Sequence, residues 1–259
     1  MHSENVSSAD NQQERSPAVA GGILRDCTPN ISGSFGLPSL LGLLYTDGCV
    51  SAKGKSWRLY FAVKSYKLVC VFEECVYNVF NVDRGKVRVG KTKDGLWKAI
   101  VDSKEIGNYL TKNFGCFRTA RFKDGSLPGT RLPITYLKEC NGVREFLSSA
   151  FSCDGGVSFY PVYRSGRFGG TKWFNRNVFL ACMHPVLLSD YSFLLDSLGI
   201  KGSVLSDRIK ISSRDGMSNF QREVNFIKGV EATNHSKLWR GLDKSTLLAH
   251  ALDSYTKSR

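Results

Sequence analysis

At 259 residues and 42% hydrophobic content, the chain can bury a substantial core as one large domain or two of ordinary size. Lys and Arg number 36 against 23 Asp and Glu, a net charge of +13 and a pI near 9.4. That balance points to a polyanionic partner, most often nucleic acid, though an anionic membrane surface would attract the same charge. No apolar run approaches the roughly 20 residues of a membrane span, and the opening stretch, with Glu4, Asp10 and Glu14, lacks the apolar segment of a secretory signal. Residues 1–33 are expected to be a loose tail on an intracellular protein of the cytoplasm, the nucleoid or an organelle matrix. The eight cysteines form no CxxC pair and no Cys/His cluster at zinc spacing, so they read as reduced, small hydrophobic side chains.

The first predicted element is an apolar helix, Leu37-Pro-Ser-Leu-Leu-Gly-Leu-Leu-Tyr-Thr-Asp-Gly48, with Pro38 suited to a first turn. Residues 55–64 then alternate. Trp57, Leu59, Phe61 and Val63 fall on one face and Arg58, Tyr60, Ala62 and Lys64 on the other, the period of a half-buried strand. Ser65 is placed to cap a helix through Leu68, Val69, Phe72, Val76 and Phe80. Residues 86–90 read as a second alternating strand, with Val87 and Val89 inward and Lys86 and Arg88 outward. Lys93, Asp94 and Gly95 make a hairpin turn, and residues 96–101 return. A helix follows through Ile106, Tyr109 and Leu110, and residues 115–141, rich in turn formers, join this half to the next.

The second half repeats the order. Arg144-Glu-Phe-Leu-Ser-Ser-Ala-Phe-Ser-Cys-Asp-Gly155 is a second helix ending in Asp-Gly, and a long basic loop over 163–172 leads into a strand ending near Cys182. A helix spans about 184–198. Residues 207–211 alternate with Arg208 and Lys210 outward, and helical spacing returns over 215–226 and 244–255. A tandem structural repeat is the expected organisation.

The helix ends carry the chemistry. Asp47 and Asp154 each sit where the helix macrodipole is negative, which disfavours a carboxylate by roughly 0.3–1 kcal/mol. One such end is an ordinary Asp-Gly turn; two at matching positions point to a site. Gly42 and Thr46 on one helix and Ser149 and Cys153 on the other are small residues four apart, a seam that lets two helices approach closely. If the seams face each other, the aspartates emerge together, and paired hard oxygen ligands suit Mg²⁺ (or Mn²⁺) and phosphodiester hydrolysis.

Leu40-Leu-Gly-Leu-Leu-Tyr-Thr-Asp-Gly48 resembles the LAGLIDADG motif of homing endonucleases, and Leu147-Ser-Ser-Ala-Phe-Ser-Cys-Asp-Gly155 resembles a degenerate second copy, with Ser149 where the family usually has glycine. The resemblance covers most of residues 37–255 and includes Leu132-Pro-Ile-Thr-Tyr136 ahead of the second motif. It implies an α+β fold: two pseudo-symmetric αββαββα subdomains whose antiparallel sheets form a saddle, with the motif helices at the interface. The expected division is a tail to 33, a first subdomain over 34–115, a linker over 116–140 and a second subdomain over 141–259.

The resemblance further implies a monomeric, site-specific endonuclease acting on a long, asymmetric double-stranded DNA site. Asp47 and Asp154 would hold Mg²⁺ (Mn²⁺ in its place, Ca²⁺ as a non-cleaving substitute), with Lys64 supporting the chemistry. The counterpart of Lys64 falls near Met183, with a later lysine such as Lys237 as a substitute. Arg58, Tyr60, Lys86, Arg88, Arg208 and Lys210 would face DNA from the strands, and Arg164, Arg167 and Lys172 from the basic loop. For any single one of these the alternative is a solvated strand face. Two competing readings stay open: a non-cleaving binder of the same fold, such as an intron-splicing maturase or a DNA-binding regulator, and an unrelated basic α+β domain.

Overall fold

The computed structural model describes residues 35–164, 171–233 and 238–256. The first half runs α1 (Leu37–Leu44), β1 (Gly48–Lys53), β2 (Ser56–Val63), α2 (Tyr66–Phe80), β3 (Arg88–Lys91), β4 (Trp97–Asp102) and α3 (Lys104–Phe114). After a short helix α4 (Ile134–Glu139), the second half runs α5 (Val143–Asp154), β5 (Gly155–Arg164), β6 (Thr171–Ala181), α6 (Pro185–Ser197), β7 (Ser203–Val204), β8 (Arg208–Ile211) and α7 (Arg214–Glu223), and α8 (Lys244–Asp253) follows. The fold is α+β, two αββαββα units in tandem. Both sheets are antiparallel and four-stranded, with orders β1-β2-β4-β3 and β5-β6-β8-β7, the same order twice.

Alternation fixes which face of each sheet is covered. Leu59 and Phe61 are fully buried on β2, and Phe61 stacks on Phe72 of α2 at 5.2 Å. In the second half Val157, Val178, Leu180, Ile209 and Ile211 do the same work. The core is one continuous cluster from Leu37 to Ala251, with α1 and α5 running through its centre.

Several elements differ from expectation. The strand expected from residue 86 begins at Arg88, and Lys86 lies exposed in a 3-10 turn, Arg84–Lys86. Val87 is buried, but Val89 is 39% exposed, because β3 is an edge strand with little packed over its end. β1 fills the stretch between Gly48 and the second strand, where small residues gave no clear alternation. The joining segment carries α4 and is fastened down. His184 caps α6 by accepting from the Leu187 N–H at 3.4 Å, so its Nε2 donates to the Pro128 carbonyl at 2.9 Å. Asp190 of α6 accepts from the Leu132 N–H at 3.0 Å and pairs with Arg131 at 3.2 Å. The expected tail lies outside the described residues. None of the described helices is long and apolar enough to cross a membrane.

Candidate functional site

The two Asp-Gly helices pack directly on each other. Pro38 lies against Gly142, and the Ser39 hydroxyl donates to Glu145 at 3.3 Å, which fixes their N-terminal ends. At mid-helix the approach is backbone-close: a Cβ added to Gly42 would lie 2.8 Å from the Ser149 Cβ and closer still to the Phe146 carbonyl oxygen. One turn on, Thr46 lies beside the Cys153 thiol across the seam, while its hydroxyl donates back to the Gly42 carbonyl at 2.9 Å. Gly42, Thr46, Ser149 and Cys153 therefore line one contact. Ser149 brings a hydroxyl that is buried without a hydrogen-bond partner.

The glycines after the aspartates serve close approach rather than a left-handed turn. Gly155 has φ −100° and ψ 175°, and neither glycine has a positive φ. A Cβ on Gly48 would meet Leu44, and one on Gly155 would lie 2.7 Å from the Phe179 carbonyl oxygen. In both motifs the strand begins at the residue after the acid, but the helices end differently from expectation: α5 runs through Asp154, whereas α1 stops at Leu44 and a turn over residues 45–47 carries Asp47 into β1.

Asp47 and Asp154, both half-buried, meet at this end of the seam. Burial raises Asp47 to about 6, with Lys244 acting in the opposite direction. Burial and then the charge of Asp47 raise Asp154 to about 7, again opposed by Lys244. Two adjacent acids, both raised by burial and one of them also by its neighbour, form a place that attracts positive charge.

Lys244 is the residue that sequence reasoning missed. It is the first residue of α8, 5% exposed, and its Nζ donates to the carbonyls of Ser152 and Gly155, each at 2.7 Å. These are carbonyls at the C-terminal end of α5, where a cation complements the helix dipole. Burial lowers the Lys244 ammonium to about 8, against the pull of Cys153, Asp154 and Asp47. Its position is set from both sides: Asp243 caps α8 by accepting from the Thr246 N–H at 3.0 Å, and the Lys244 N–H donates to Val230 at 2.9 Å. The signal available in the sequence was Asp-Lys-Ser-Thr, a helix cap with a lysine at its first position.

Lys64 is exposed just past β2, and the positive charge acting on Asp47 is that of Lys244. Met183, in the corresponding place of the second half, is 73% exposed. Lys237 lies outside the described residues.

The sheet faces away from the helices carry the other predicted residues. The register of β2, β4 and β3 puts Arg58, Tyr60, Arg88, Lys98 and Asp102 on one such face. Arg58 and Arg88 both pair with Asp102 there. On the second sheet Arg208 and Lys210 share the outward face with Tyr160 and Trp173, which are 45% and 41% exposed. Arg208 is paired with Asp207, its Nε donating at 3.0 Å. Arg164 ends β5 and Lys172 lies near the start of β6, but their side chains, and Arg167 altogether, lie outside what is described.

Among the described residues no group of three or more His, Cys, Asp or Glu side chains is arranged to hold a metal ion. The donors present are two carboxylates, which fit a hard divalent cation of the kind that takes one or two protein carboxylates and completes its shell with water and substrate phosphate.

No protein-family model and no curated protein sequence matches the chain. Solved structures do. The LAGLIDADG meganuclease I-AabMI bound to uncleaved DNA is similar over 85% of this chain and 92% of its own, at 10% identity and a TM-score of 0.47. The I-SmaMI LAGLIDADG homing endonuclease bound to cleaved DNA is similar over 85% and 90%, also at 10% identity and 0.47. Full-length DUF199/WhiA from Thermatoga maritima is similar over 84% of this chain and 59% of its own, at 14% identity and 0.44. The likeness to these LAGLIDADG proteins is one of fold.

Proposed function

We propose that the chain is a site-specific double-strand DNA endonuclease of the homing type, hydrolysing phosphodiesters with a divalent cation held by Asp47 and Asp154. The observation that carries this reading is the meeting of two half-buried carboxylates, one from the turn after α1 and one from the end of α5, beside one buried ammonium. A protein that only gripped DNA would gain nothing from placing two acids near a phosphate backbone. When bound, Mg²⁺ stabilises charge on the phosphoryl oxygens and activates water for in-line attack.

The chain's own residues supply the rest. Asp47 and Asp154, one from each half, would hold the cation. Lys244, anchored by the Ser152 and Gly155 carbonyls, keeps a positive charge where the phosphate becomes more negative, an electrostatic contribution that needs no rearrangement during reaction. The outward sheet faces, with Arg58, Tyr60, Arg88, Arg208 and Lys210, contact the duplex. Both acids and both sheets come from one chain, so a monomer spans a long and asymmetric site.

The test uses a plasmid library with randomised inserts, incubated with the full chain and Mg²⁺, followed by capture and sequencing of cut ends. Cleavage at a defined sequence that disappears in Asp47→Asn and Asp154→Asn supports the proposal. Cleavage that survives both substitutions overturns the site. Sequence-specific binding with no cleavage in Mg²⁺ or Mn²⁺ assigns the chain to the non-cleaving binders instead, with Lys244 as the standing counter-charge of an acid pair that no longer takes metal.

A further inference from the structure

On the outward face of the first sheet, three charged side chains converge where a smooth solvated surface would have sufficed. Arg58 and Asp102 are direct cross-strand partners on β2 and β4, and Arg88 on β3 faces Ile100, one step along the same face. Arg58 donates from Nε to Oδ1 of Asp102 at 2.8 Å and from Nη2 to Oδ2 at 3.0 Å. Arg88 donates from Nη2 to the same Oδ2 at 2.6 Å. All three stay accessible: the side chains of Arg58, Arg88 and Asp102 are 29%, 56% and 27% exposed. Exposed ion pairs contribute little to folding. Their effect is to restrict two long side chains to one arrangement before any partner arrives.

That arrangement leaves a specific donor pattern. Arg58 commits Nε and one hydrogen of Nη2 to the carboxylate. Nη1 and the other hydrogen of Nη2 have no protein partner among the described residues, and they form the adjacent, end-on edge of a planar fork. In the major groove, the N7 and O6 acceptors of guanine match such a fork with two parallel bonds. Adenine presents a donor at one of those two places, and neither pyrimidine offers the acceptor pair. We propose that Arg58 is a guanine-reading residue and Asp102 the positioning residue that aims it, with Arg88 held to the same carboxylate to read a neighbouring base pair. The proposal rests on the reading of this chain as a duplex-DNA protein. Because both guanidinium heads meet on one carboxylate, their contacts fall within about two base-pair steps of each other, given a rise of about 3.4 Å per step.

The test is a binding selection from a randomised duplex pool in Ca²⁺, comparing the wild type with Arg58→Ala, Arg58→Lys, Asp102→Ala and Asp102→Asn. The wild type should enrich one or two guanines within a single half-site. Arg58→Ala and Asp102→Ala should weaken that preference by about five- to a hundredfold, the worth of one bidentate base contact, while other positions, the melting temperature and the salt dependence of binding stay close to wild type. Arg58→Lys should restore affinity but not the preference. Replacing the selected guanine by 7-deazaguanine should weaken wild-type binding and leave Arg58→Ala unaffected. A uniform loss across all sequences would make Arg58 a phosphate contact and overturn the proposal, as would a guanine preference that survives Asp102→Ala and Asp102→Asn. A pool that yields specific duplexes without these guanines overturns the guanine assignment alone; a pool that yields no bound duplex overturns the DNA reading as well.

Discussion

Tyr45 and Ser152 hold matching places in the two motif segments, two residues before each aspartate. The Tyr45 hydroxyl donates to the Phe114 carbonyl at the end of α3, at 2.7 Å. The Ser152 hydroxyl accepts from the Ile227 N–H, just past α7, at 2.8 Å. Each ties its motif to the chain leaving its own sheet, but what that chain does next differs. After α7 it returns as α8 and brings Lys244 to the acids. After α3 it crosses to the second half, where Arg131 pairs with Asp190. The charge of the acid pair is therefore balanced from one side, by the half whose motif is further from the LAGLIDADG pattern. Motif completeness and contribution to the site are separate properties.

The largest test of that asymmetry is Lys244→Met. Removing the ammonium leaves two half-buried carboxylates and two buried carbonyls uncompensated, and should cost about 3–5 kcal/mol in urea unfolding with chelator present. A loss below about 1 kcal/mol would show that the second half does not carry the compensation. Next in size, Asp47→Asn and Asp154→Asn should each reduce Mg²⁺-dependent cleavage by about a hundredfold, the scale of losing one charge-stabilising group. Separate gels for top and bottom strands should show unequal losses, with Asp154→Asn the more damaging because Lys244 is anchored on its helix. Equal losses on both strands would remove the asymmetry.

Gly42→Val should destabilise by about 3 kcal/mol, since its side chain has nowhere to go against Phe146 and Ser149. Its seam partner should respond in the opposite direction: Ser149→Ala deletes a hydroxyl with no partner and should gain about 1 kcal/mol. Between these lies a pH effect. Asp47 and Asp154, raised to about 6 and about 7, bind protons more tightly in the folded chain than in the unfolded one. The resulting stability is full below about pH 4 and lost as pH rises through the folded values. In chelator, the wild type should lose on the order of 2 kcal/mol more than the Asp47→Asn/Asp154→Asn double variant between pH 5 and pH 7.5.

Much of this architecture could be read from the chain because it rests on local periodicity. The alternation over residues 55–64 identifies β2 and its buried face, and the helical spacing after Ser65 identifies α2. The two Asp-Gly endings identify the matching acids, although only Asp154 lies on its helix and Asp47 lies in the turn after α1. The edge strand was misjudged by two residues because Lys86-Val-Arg-Val alternates as well as any strand, and only the absence of a neighbour beyond β3 exposes Val89. Lys244 was legible as a helix start and not as a site residue. Its role depends on α8 returning to α5 across a large sequence separation, which no local pattern encodes. The pairing of Arg58 with Arg88 through Asp102 has the same origin: it needs the strand order β2-β4-β3, a tertiary fact.

The absence of any loop between acid and strand joins two tasks mechanically. Gly48 begins β1 and Gly155 begins β5, so a shift in where either strand starts is a shift of the carboxylate before it. A slip of one residue would also turn every outward side chain of that strand inward. New sequence preference is therefore accessible by exchanging side chains on the strands but not by adding or deleting residues at their origins, where recognition and chemistry have a single coordinate between them.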